Sequence, residues 1–174
     1  MPALRKKIVA LSAAVLCMVG SFCCKNAPPK KPFEGCKMGV PKPLFELGMA
    51  HVTSQTFVLT DTISIEKVGF DNANTLQFTQ TGCEVVQQEL VFRVLGNYQD
   101  ATEKACIMLA INQLYFIGKL SPQLFGFTAW AQAMQEKISE LHLGQSYELD
   151  KGFRVKISKS ATQSEGVFVV TLSE

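Results

Sequence analysis

Val86-Gln87-Gln88-Glu89-Leu90-Val91-Phe92-Arg93-Val94 is an alternating run, and Asp100-Ala101-Thr102-Glu103 ends the alternation. In the first stretch Val86, Gln88, Leu90, Phe92 and Val94 share one face, while Glu89 and Arg93 take the other. That two-residue period is the mark of a half-buried antiparallel strand, and Gly96-Asn97 closes it. Asp100 to Glu103 then reads as a capping box, with the Asp100 carboxylate accepting from a backbone N–H three residues on and Glu103 reciprocating. Beyond it Ala105, Leu109, Asn112 and Phe116 recur at helical spacing, as do Cys106, Ala110, Gln113 and Ile117. Apolar residues occupy most of the circumference, so this helix is expected to be central and heavily buried.

The chain before this junction is strand-like. Phe57-Val-Leu-Thr-Asp-Thr-Ile-Ser-Ile-Glu-Lys-Val68 is rich in β-branched residues, Asp71-Asn-Ala-Asn74 signals a turn, and Leu76 and Phe78 alternate with Gln77 and Thr79. After the first helix, Gly118 to Pro122 is a break, and Ser121-Pro122 suits a cap followed by the first helical position. A start at Thr128 is the other reading. Trp130, Ala133, Met134, Lys137, Ile138 and Leu141 form one face of the second helix, with Gly144 as its left-handed stop. Phe153, Val155 and Ile157, then Phe168, Val170 and Leu172, form a closing hairpin around a loop from Ser160 to Gly166. The order strands, helix, helix, strands predicts an α+β fold: a mostly antiparallel sheet of about five to seven strands with both helices on one face.

The N-terminus has a different character. Arg5, Lys6 and Lys7 precede an apolar run from Ile8 to Val19, and Gly20-Ser-Phe-Cys-Cys24 follows. The run is shorter than the roughly 20 residues that span a bilayer, and it has the flanks of a secretory signal. Residues 1–23 are therefore expected to be a signal peptide. The end of this segment resembles that of bacterial lipoproteins, in which a cysteine preceded by a small residue is diacylated. The resemblance is confined to these first two dozen residues. It implies acylation at Cys24, which follows Cys23 and Ser21, with Cys23 as the alternative. Two acyl chains hold a protein to a membrane stably, at about 0.8 kcal/mol per buried methylene.

Residues 24–43 carry Lys25, Lys30, Lys31, Lys37 and Lys42 against Glu34, with five prolines. Proline lacks the N–H and fixes φ, so the segment is expected to be a semi-rigid tether, reaching roughly 60 Å at most. Residues 44–174 form the expected single domain. There nine Lys+Arg face fourteen Asp+Glu, a net of −5, which argues against a nucleic-acid partner.

Outside the signal and the acylation site, Cys36, Cys83 and Cys106 remain. Cys83 with Cys106 is the expected bridge, since both fall in the domain and Cys36 in the tether; such a bridge adds about 2–4 kcal/mol. No cysteine pair has CxxC spacing, and His51 and His142 are the only histidines, so neither a metal nor another cofactor is expected. No nucleophile, zinc-protease, P-loop or dinucleotide motif is present. Glu84 and Glu89, on one strand, would point to opposite faces and cannot act as an acid–base pair. The aromatic group Tyr115, Phe125, Phe127 and Trp130 around the helix–helix turn is the one candidate recognition patch, alongside its plainer reading as core. The expectation is a lipid-anchored, non-catalytic envelope protein, facing the periplasm or cell surface, that binds another protein or an envelope component. The alternatives are a small envelope hydrolase or transferase, or a secreted inhibitor or immunity-type binder presenting the loop from Ser158 to Gly166.

Overall fold

The structure, a computed structural model, describes residues 31–37, 39–84, 86–150 and 152–173. Four strands come first: β1 (Val52–Thr60), β2 (Ile63–Phe70), β3 (Thr75–Thr81) and β4 (Gln87–Leu95). Two helices follow, α1 (Glu103–Gly118) and α2 (Phe125–Glu136), joined by a 3-10 turn over Pro122–Leu124. The chain closes with β5 (Ser146–Asp150), β6 (Phe153–Ala161) and β7 (Glu165–Ser173). The seven strands form one antiparallel sheet in the order β1-β2-β3-β4-β7-β6-β5, the α+β architecture expected from the alternation.

The register of β4 against β7 unites the two halves. Leu90 lies opposite Val170 and Phe92 opposite Phe168, so the inward faces of the first and last groups of strands meet at the centre of the sheet. Val68, Phe70, Leu76, Phe78, Val155, Ile157 and Leu172 extend that apolar face. α1 covers it with Cys106, Ile107, Ala110, Ile111, Leu114 and Ile117, and α2 adds Phe127, Ala131 and Met134. Each large aliphatic side chain buried here contributes about 1.5–3 kcal/mol.

Local detail departs from expectation at several points. Thr102, not Asp100, caps α1: its hydroxyl accepts from the Ala105 N–H at 3.3 Å. Glu103 is then released from any capping box and reaches across to the α2–β5 connection. The expected break holds: α1 ends at Gly118, against the backbone of Thr128 in α2. Ser121 does sit before Pro122, though it opens the 3-10 turn without a side-chain cap, and α2 starts at Phe125 rather than Thr128. α2 ends at Glu136, so Gly144, with φ +78°, serves the turn into β5 instead. The loop expected from Ser160 to Gly166 is only the three residues between Ala161 and Glu165. The run from Phe57 to Val68 hides a two-residue turn at Asp61 and Thr62, where Asp61 takes φ +43°.

Residues 1–30, with Cys23, Cys24 and the expected signal peptide, lie outside the described residues. No helix among the described residues is long and apolar enough to cross a membrane.

Candidate functional site

Two features are built by polar residues on the inward face of the sheet. The first is Glu66 on β2. Ser64, Glu66, Val68 and Phe70 all point inward, and Glu66 is only 1% exposed. Its carboxylate accepts from the backbone N–H of Leu44 at 2.9 Å, from that of Phe45 at 3.0 Å, and from Gln55 Nε2 at 2.9 Å. A buried carboxylate needs such partners, because desolvation without them is prohibitive. Glu66 thereby seats the segment before β1, and the Phe45 side chain is buried there.

The same segment is fastened a second time. Cys36 is bonded to Cys83, across a separation of 47 residues, while the Phe33 N–H donates to the Asp61 carbonyl and the Phe33 ring is buried. This corrects the expected pairing of Cys83 with Cys106. Cys106 is a free thiol buried on the inner face of α1, where it packs as an apolar side chain. It also changes the reading of residues 24–43: from Phe33 onward, the described part of that segment is attached to the sheet rather than spanning free. Lys37 and Glu84 add an exposed ion pair at 3.2 Å beside the bridge.

The second feature involves the same N-terminal segment. Gln80 and Gln88 face each other across β3 and β4, on the face otherwise occupied by Leu76, Phe78, Leu90 and Phe92. With Leu44, Phe78, Gln123, Phe127 and Trp130 they line a cleft of about 200 Å³. The Oε1 of Gln88 is buried and has no hydrogen-bond partner among the described residues. Gln123 is committed, its Nε2 donating to the Leu44 carbonyl at 3.2 Å. The attached N-terminal segment thus forms one wall, β3 and β4 the floor, and the start of α2 the other wall.

The four expected patch residues are not brought together. Phe127 and Trp130 line the cleft, and their rings meet edge to face with centroids 5.4 Å apart. Phe127 in turn meets Phe78 edge to face, and Trp130 stacks on Phe153. These two are core and cleft at once. Phe125 is 62% exposed and is not part of the lining. Tyr115 belongs to α1, with the Lys119 ammonium 6.0 Å from its ring centroid, and takes no part in the cleft lining either.

Among the described residues, no titratable side chain lines the cleft. Titratable groups gather elsewhere and are engaged. Glu103 accepts from the Leu143 N–H at 2.6 Å and lies 3.5 Å from His142 Nδ1. Both interactions, the backbone one foremost, hold its carboxyl below the ordinary glutamate value. The Tyr147 hydroxyl donates to Glu140, which lowers the carboxyl and raises the phenol. Glu84 lies in the connection ahead of β4 and Glu89 on the outer face of β4, so the two are not a pair. No group of three or more metal-ligating side chains occurs among the described residues.

The fold and cleft define a two-layer α+β domain with an amide-and-aromatic recess and a disulfide-fastened N-terminal segment. No protein-family model, curated protein or solved structure matches the chain.

Proposed function

We propose that this is a lipid-anchored, non-catalytic protein of the cell envelope that binds a partner protein through the cleft beside α2. The observation that carries the binding role is Gln88 Oε1, an acceptor without a partner among the described residues in an otherwise largely apolar recess. A buried unmet acceptor costs about 1–3 kcal/mol, which a partner donor would recover. The volume suits one apolar side chain bearing an N–H or O–H. The amide and aromatic lining favours holding a neutral group over acid–base chemistry. The secreted-inhibitor alternative loses its presenting loop, since only three residues join β6 to β7.

Two observations support the compartment. A disulfide between Cys36 and Cys83 fits an oxidising location outside the cytoplasm. The basic segment beginning at Lys25, read with the Cys24 signal, fits attachment to an anionic membrane surface.

The test has two arms. Labelled palmitate should enter the wild-type chain and be lost in Cys24→Ala; loss only in Cys23→Ala would move the site, and no labelling would remove the anchor. Capture from native envelope should recover a partner that Gln88→Leu no longer binds. Because leucine suits this face, that variant should fold at least as stably as wild type. Equal capture by both would take the cleft out of the function.

A further inference from the structure

The two edges of the sheet are built differently. β5, at one edge, has five residues, carries Glu148 and Asp150, and contains an irregularity between them. Short length, charge and bulges are the usual guards against strand addition. β1, at the other edge, has nine residues, Val-Thr-Ser-Gln-Thr-Phe-Val-Leu-Thr, with no charge and no proline; its one irregularity lies at its start, between Val52 and Ser54. Its hydroxyl-bearing, β-branched and aromatic residues are good strand formers. Val58 is 53% exposed. Apart from the local turn in which the Val52 N–H donates to the Met49 carbonyl, no backbone hydrogen bond among the described residues joins the outer edge of β1 to another segment.

We propose that β1 pairs with β1 of a second copy of this chain, antiparallel about a two-fold axis, so that one sheet runs through both molecules. A second copy is the occupant to which the charge pattern points. In a two-fold strand pair every side chain meets its mirror position, so a charge near the axis would face its own like. The overlap beyond that irregularity, Ser54 to Val58, centres on Thr56. It sets Thr56 opposite Thr56, Gln55 opposite Phe57 and Ser54 opposite Val58, with no charge anywhere along the seam. The first ionisable side chains beyond the strand are His51 at one end and Asp61 at the other, of opposite sign when the imidazole is protonated. His51 also holds Asp71 at 2.8 Å. The same operation on β5 would set Glu148 against Glu148.

The test uses the full chain, purified in detergent, with mass read by sedimentation. The wild type should show twice the protein mass of the Thr56→Lys and Thr56→Glu variants, each of which places like charges together at the axis. Mixing the two variants in equal amounts should restore the doubled mass. Thr56 is exposed, so both should keep the wild-type circular dichroism. If either fails to fold, Thr56→Cys gives the reading instead: oxidation should join two chains through position 56, seen as a reducible covalent dimer, with none from Glu148→Cys. A monomeric wild type, a dimer indifferent to charge at position 56, folded variants that do not recombine, or cross-linking at position 148 alone would each overturn the proposal.

Discussion

Three donors converge on the carboxylate of Glu66, two of them backbone N–H groups of the segment leading into β1. Glu66→Gln keeps the shape but replaces one acceptor oxygen with a donor that faces other donors. The expected loss is about 1–3 kcal/mol of unfolding free energy, read from urea denaturation. Proteolysis between residues 40 and 49 should accelerate in the same variant, since that segment would lose its polar anchor on β2. Unchanged stability and unchanged cleavage would mean that Phe45 burial alone seats the segment. Gln88 is the counterpart on β4: another polar residue on the apolar face, but one left with an unmet acceptor among the described residues.

Among the elements, the two helices come into tight contact where Gly118 meets Thr128. A Cβ on residue 118 would stand 2.6 Å from the Thr128 backbone nitrogen and closer still to its hydroxyl. Gly118→Ala gains about 1 kcal/mol of helix propensity. It also drives α1 from α2, and overpacking of this kind costs about 1–3 kcal/mol. Because the obstacle is backbone, the expected outcome is a lower melting temperature that Thr128→Ala relieves only in part. Full rescue by Thr128→Ala would show that the hydroxyl was the sole obstacle. The α1 start illustrates the same dependence on packing. Asp100 and Thr102 both precede the helical run, and either suits a cap. Thr102 takes the role where Glu103 reaches Leu143 and His142 across the fold.

For the whole molecule, the Cys36–Cys83 bridge brings the N-terminal segment into the domain. It closes a loop of 47 residues, and cross-links of that span add about 4 kcal/mol in the chain-entropy account. Reduction, or Cys36→Ser, should lower stability by about 2–4 kcal/mol. Cys106→Ser should leave the bridge intact, and native protein should resist iodoacetamide at Cys106 until it unfolds. A Cys83–Cys106 peptide in a non-reducing digest would contradict this arrangement. By tying the N-terminal segment to the β3–β4 connection, the bridge also supports the wall of the cleft that Leu44 supplies.

Periodicity was enough to establish the α+β class, the antiparallel character of the sheet and the inward faces of β4, β6 and β7, because burial on one side of a strand or helix repeats at a fixed interval that the residues themselves display. The glutamine at position 88 was visible there as a polar residue in an apolar column, although what it binds was not; Glu66 was hidden, because Ile63 and Ile65 alternate with Ser64 and Glu66 and mark the opposite face of β2 as the apolar one, whereas folding turns Ser64 and Glu66 inward. Which cysteine faces Cys83, which aromatic rings line the cleft and which residue caps α1 were settled by folding in three dimensions. Each of these depends on segments far apart in the chain arriving at one place, and local spacing carries no record of that meeting.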